Sequence, residues 1–259
     1  MFWWILLLRA GLGAAFVVAV STVAELIGPF WGGLLVSLPI SAGPAYVMLA
    51  AQHDSTFIAD SAIGSLAANA VTVVFMLTII RLAPRAPWPV ALLSAVTVWF
   101  AAALLILPVP WTLASVLALN LVTFSVCLWL TRQERRSGVS GGRSSPRRWY
   151  EMPARGLMVG VLVATVVTLS DWMGPAVTGM AAVFPIMLTG LALVALPRLG
   201  GTATAALFAA TMRAMIGFAL FLVVLHLTAE TLGSWGGLAA AICAQLGFSL
   251  VLLGLRRTT

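Results

Sequence analysis

The side chains able to do chemistry are few, and most sit where a polar group is expensive. Arg213 falls eleven residues past Thr202 in an otherwise apolar run, about 16 Å along a helix that rises 1.5 Å per residue. A charge that deep in a bilayer costs roughly 2.5–3.5 kcal/mol or more, so the guanidinium must meet a partner, a cavity or a ligand. Two readings are open: a fixed cation for an anionic solute or headgroup, or a structural ion pair with Glu25, Asp60 or Asp171. Asn69 is polar at similar depth in another apolar run.

A second group of candidates comes from broken helices. The run GPFWGGLLVSLPISAGPAYVMLAA carries Pro39, Gly43 and Pro44. Each proline removes a backbone donor and clashes with the carbonyl four residues earlier, so the helix breaks and carbonyls near Leu35 and Ile40 are freed. Pro185 repeats the break in GPAVTGMAAVFPIMLTGLALVAL, followed by Thr189 and Gly190. Half-helix ends offer donors and carbonyls to a solute, which makes Pro39, Ser41, Gly43, Pro185 and Thr189 candidate contacts beside Arg213 and Asn69. The plainer alternative is that Ser37, Ser41 or Thr189 satisfies the freed backbone groups.

Glu25 and Asp171 each precede a Gly-Pro pair. A carboxylate there favours the N-terminus of the following helix by up to about 1 kcal/mol; the sharper alternative makes the two acids gating or proton-coupling groups. His53, Asp54, Asp60, His226 and Glu230 read as interfacial groups, too sparse to hold a metal. Cys127 and Cys243 lie in apolar runs without metal or disulfide spacing and read as small buried hydrophobes. No cofactor is called for, and no paired His, Asp-rich or Ser/His grouping suggests an enzyme. Without a Walker motif, ATP drive by this chain alone is not expected.

These residues are positioned by a duplicated unit. The segment from Arg9 to Phe75 recurs without a gap as Arg155 to Phe221. Arg9 pairs with Arg155, Glu25 with Asp171, Gly28-Pro29 with Gly174-Pro175, Gly33 with Gly179, Pro39-Ile40 with Pro185-Ile186 and Thr56 with Thr202. Arg213 matches Ala67, so that charge is not part of the duplicated scaffold.

With 62% hydrophobic and 8% charged residues, the chain departs from a soluble domain, which carries about 25% charged residues. Spanning about 30 Å of hydrocarbon takes roughly 20 residues, and nine apolar stretches qualify, near 3–25, 29–51, 56–80, 88–107, 111–131, 155–171, 175–196, 202–228 and 235–255. The expected domains are a four-helix repeat over 1–110, a connector helix with a basic linker over 111–154, and a second repeat over 155–259. Five spans separate the two starts, so the repeats are expected to be inverted. The N-terminus has no basic leader or cleavage site and reads as a true span.

Arginine placement agrees with that reading. Loops holding Arg81 and Arg85, the run from Arg132 to Arg155, Arg198, and Arg256 with Arg257 fall on one side, against Arg9 on the other. The positive-inside rule makes the basic side cytoplasmic, which predicts N-out and C-in topology in a bacterial inner membrane. The charge of +7 is therefore a topology signal, and nucleic acid is not an expected partner. The expected partners are the bilayer and a small solute or lipid headgroup, with a homodimer left open.

Each half, through Gly28, Gly33 and Pro39 and their counterparts Gly174, Gly179 and Pro185, resembles the small four-helix membrane proteins of the GlpM type, as if two were fused through a connector. The layout is also similar to inverted-repeat exporters and symporters, which implies alternating access. The expected function is secondary transport of a small anionic or zwitterionic solute at a midplane site. The alternatives are a lipid-phosphate flippase or lipid-binding protein, marked by a groove open sideways to the bilayer, and a non-transporting partner subunit.

Overall fold

The computed structural model describes residues 42–136 and 151–257, together with Gly11, and every element among them is a helix. In chain order these are α1 (Ala42–Ala50), α2 (Ser55–Leu82), α3 (Trp88–Ile106), α4 (Leu113–Leu130), α5 (Arg132–Arg136), α6 (Glu151–Ala182), α7 (Ile186–Leu199), α8 (Gly201–Thr211) and α9 (Ala214–Arg257). The expected span 3–25, most of 29–51, and the candidates Glu25, Pro39 and Ser41 lie outside the described residues.

Five stretches among the described residues are long and apolar enough to cross a membrane: Ser55–Leu82, Trp88–Ile106, Leu113–Leu130, Leu157–Leu199 and Gly201–Val251. The described residues are all-helical, and the chain is a multi-pass membrane protein. The last two stretches, of 43 and 51 residues, exceed the roughly 20 residues one crossing needs, and both are broken. Gly174 (φ 70°) interrupts α6 and Gly233 (φ 74°) interrupts α9. Glycine takes this left-handed conformation without the Cβ clash that other residues meet. Beyond Gly233 the arms of α9 fold back on each other, since a Cβ on Gly237 would press on the Ala229 backbone and one on Gly217 on the Phe248 ring.

Local sequence explains where the helices begin. Asp54 caps α2 by accepting from the Phe57 amide at 2.8 Å. Pro87 and Pro89 open α3, where a missing N–H costs nothing. Thr112 and Ser115 form a reciprocal capping box at the start of α4.

The core is built around α2. Of its most apolar stretch 78% is buried, against 22% for both α3 and α4, so α2 is the central helix and the other two face outward. Its Ala59, Ala62, Gly64, Ala67, Ala68 and Ala70 are small and let neighbours approach. The helix crosses α6 closely: a Cβ on Gly64 would overlap the Ala176 carbonyl, and one on Gly179 the Ser61 carbonyl. Hydrocarbon provides no hydrophobic drive between helices, so this backbone contact is a main source of their attraction.

The bundle has a basic end. Arg81 pairs with Glu134 at 3.3 Å and donates to the Leu130 carbonyl at 2.7 Å, which ties the end of α2 to α4 and α5. The α7–α8 junction joins them there, because Gly201 lies directly on the Ala83 carbonyl.

Candidate functional site

Ser61, Ser65, Asn69 and Thr72 recur at helical spacing along one face of α2, all at most 1% exposed. Residues three and four apart share a helix face, so the central helix of a membrane bundle carries an inward column of hydroxyl and amide groups. A buried polar group without a partner costs about 1–3 kcal/mol, which makes the partners of this column worth counting.

Most of them are found on neighbouring helices. Ser65 Oγ donates to the Gly179 carbonyl of α6 at 2.7 Å. Its single hydrogen is thereby committed, so the Tyr46 hydroxyl of α1, at 2.6 Å, is the donor to Ser65. Thr72 donates to the Ala68 carbonyl at 2.9 Å and accepts from the indole N–H of Trp99 on α3 at 3.1 Å. Asn69 Nδ2 donates to Asn120 Oδ1 on α4 at 3.1 Å.

The Asn69–Asn120 pair has only one consistent arrangement. Asn120 Nδ2 donates to the carbonyls of Leu66 and Val116, both at 2.9 Å. That uses both of its hydrogens and turns its oxygen toward Asn69. Asn69 must therefore present Nδ2 to Asn120, and its own Oδ1 is left buried without a hydrogen-bond partner. Ser61 Oγ, on the same face, and Thr178 Oγ1, next to Gly179, are also buried and unpartnered. Asn69 stands at the middle of the 28-residue α2.

The other expected site residues are not all gathered here. Arg213 is exposed, in a short turn where the helix tightens between α8 and α9: the Met215 amide bonds to Met212 and the Ile216 amide to Arg213, both at 3.2 Å. Arg213 thus lies on the outside of the described helices, with no ion pair to Asp60 or Asp171 among the described residues. Gly43 lies half-buried in α1. Pro185 breaks the chain between α6 and α7 through a tight turn, with the Ile186 amide on the Phe184 carbonyl at 2.7 Å. Thr189 donates through Oγ1 to the Pro185 carbonyl at 2.8 Å, so its hydroxyl is spent on the backbone of the break.

Asp171 is 74% exposed and lies 3.7 Å from His53 Nε2. His53 is the more engaged partner. Ser170 Oγ commits its hydrogen to the Val167 carbonyl at 2.9 Å, so it accepts from His53 Nε2 at 2.7 Å. The imidazole stacks on Phe57 at 3.8 Å. His226, on α9, donates from Nδ1 to the Ala59 carbonyl at 2.9 Å. Both histidines, read from sequence as interfacial groups, are thus interhelical ties at the end of α2 remote from Arg81.

Asn120, Tyr46, Ser61 and Thr178 are polar members of this interior that the sequence reading passed over. The signal for the α2 column was present in the spacing of Ser61, Ser65, Asn69 and Thr72. Asn120 offered none, because a single amide in the expected connector helix carries no period. No protein-family model, curated protein or solved structure matches the chain.

Proposed function

We propose that the chain is a secondary transporter that passes a small zwitterionic solute through the bundle interior beside α2. The observation that carries this reading is the unpartnered Oδ1 of Asn69, held in place by Asn120 at mid-height of the central helix. It is an acceptor set in an apolar core, and a solute N–H is the group that would satisfy it. The Ser61 and Thr178 hydroxyls supply further polar capacity near the α2–α6 crossing. The interior column is neutral, which favours a solute with balanced charge over an anion. Arg213 has no place in this reading.

An inverted arrangement of the two halves, read from the recurrence of Gly28-Pro29 as Gly174-Pro175 in the sequence, belongs to the same proposal and goes with alternating access about such a site. N-out, C-in topology in a bacterial inner membrane is part of the same proposal. It rests on the arginines, with Arg81 in the last turn of α2, Arg85 in the loop that follows and Arg198 in the last turn of α7, which come together at one end of the bundle.

The test is thermal stabilisation of purified wild type, Asn69→Leu and Arg213→Ala by a panel of amino acids, betaines and organic anions. Any stabilising compound is then carried into counterflow in proteoliposomes. Zwitterions should stabilise wild type and Arg213→Ala but not Asn69→Leu. An organic anion that loses its effect in Arg213→Ala would replace this reading with the fixed-cation one. No stabilisation of any variant would remove the transport site.

A further inference from the structure

A groove of about 340 Å3 lies between α3 and α6, walled by Trp99, Ala103, Leu162, Met180, Ala181 and Phe184 among others. The volume is in the range of small-molecule sites, but the chemistry of the walls is unusual for one. Thr165 is the only polar side chain in the lining, and its hydroxyl is already bonded to the Val161 carbonyl at 2.8 Å. The indole N–H of Trp99 is turned away to Thr72, so Trp99 offers the groove only carbon. An occupant would find no free donor and no charge from any side chain in the wall.

The surroundings identify what such a surface faces. Phe100, Leu104 and Leu169 belong to the lining and are 49%, 67% and 37% exposed, within stretches long enough to cross a membrane. The groove is therefore continuous with the lipid-facing surface of the bundle and opens sideways to hydrocarbon. A lipid headgroup has nothing to pair with here, whereas a hydrocarbon chain loses nothing by entering. Met173 and Met180 are unbranched and adapt to a flexible chain. The aromatic wall is rigid: Phe184 packs edge-on to Trp99 at 5.0 Å and beside Phe100 at 5.4 Å between centroids.

We infer that this groove is a binding site for one acyl chain of a bilayer phospholipid, recognised by its hydrocarbon and not by its headgroup. The site is separate from the polar column on α2 and does not depend on the transport reading. Its floor spans the two breaks of the second half, since Met173 precedes Gly174 and Phe184 precedes Pro185. The chain would pack on Val177, Met180 and Ala181 of the short segment between those breaks.

The test uses the full chain purified in one detergent and titrated with dimyristoyl phosphatidylglycerol or dimyristoyl phosphatidylcholine, with retained lipid counted by native mass spectrometry. Ala181→Phe and Ala103→Phe fill the groove; Leu121→Phe, on an exposed position of α4, is the control. Wild type and Leu121→Phe should retain a lipid that both filled variants lose, equally for the two headgroups. Equal retention by wild type and by folded filled variants overturns the site, as does retention that follows headgroup charge. A second readout covers variants that fail to fold. A phosphatidylcholine brominated along its chains should quench wild-type fluorescence more than that of Trp99→Phe, because Trp99 lines the groove while only 4% exposed. Equal quenching in the two proteins overturns the proposal on its own.

Discussion

Asn69 on α2 and Asn120 on α4 face each other across the bundle with their amides 3.1 Å apart, and Asn120 alone is fully bonded. One residue acts as the bracket and the other as the hook. Interhelical hydrogen bonds of this kind average about 0.6 and reach about 1.7 kcal/mol in a membrane protein. Asn120→Leu goes further, because it frees the Leu66 and Val116 carbonyls and leaves both ends of Asn69 unpartnered in the core. The expected loss is about 1–3 kcal/mol, read from unfolding in a denaturing-detergent titration. Asn69→Leu combined with Asn120→Leu should recover part of that loss, since no buried amide then remains. Simple additivity of the two single changes would show that the amides do not act as a pair.

The α2–α6 crossing predicts a contrast between glycines. Gly64 and Gly179 each lie so close to a carbonyl of the other helix that a Cβ would overlap it, whereas nothing lies within 4 Å of a Cβ built on Gly247. Backbone cannot step aside as a side chain can, so Gly64→Ala and Gly179→Ala should each cost about 1–3 kcal/mol by overpacking. Gly247→Ala should be neutral or slightly stabilising, because alanine is the better helix former. The denaturing-detergent midpoints decide it: a Gly64→Ala midpoint equal to that of wild type would mean that the helices do not cross this closely.

The fold was more legible in the sequence than the site, and for a physical reason. A bilayer crossing requires length and uninterrupted apolarity, which are local properties, so the expected spans 56–80, 88–107 and 111–131 match α2, α3 and α4 within a few residues. Glycines and prolines also act locally, and the Gly174-Pro175 turn falls where its residue types require. Packing partners are not local. Whether Thr189 faces a solute or its own backbone depends on the turn at Pro185, and whether Arg213 is buried depends on the face its helix presents. Hydropathy places a residue along a helix axis but leaves its direction around the axis open. That missing angle separates the exposed Arg213 from the buried Asn69, two residues expected at similar depth.

At the other end of α2, His53 holds the α1–α2 loop to α6. Its Nε2–H has Ser170 Oγ at 2.7 Å and the exposed Asp171 carboxylate farther away at 3.7 Å. A contact this long to an exposed carboxylate contributes about 0–1 kcal/mol, while a lost buried hydrogen-bond partner costs about 1–3 kcal/mol. Ser170→Ala should therefore destabilise more than Asp171→Ala, by thermal or denaturing-detergent unfolding. If Asp171→Ala is the more damaging change, the carboxylate is the true anchor of His53, and a gating or coupling role for Asp171 gains support.

Arg213 provides the sharpest test, because depth along the helix and the face it presents predict opposite outcomes. A guanidinium paired inside a bilayer is a structural necessity, and removing one member of a buried pair costs about 3–5 kcal/mol. Removing an exposed side chain with no ion pair among the described residues orphans no buried charge, so the loss should fall well below that. The exposed turn between α8 and α9 places Arg213 in the second class. Arg213→Ala should leave the unfolding midpoint nearly unchanged and leave solute stabilisation intact, as the neutral column on α2 requires. A large loss of stability would mean that the guanidinium has a buried partner. A normal midpoint with lost ligand response would instead move the solute toward Arg213 and away from Asn69.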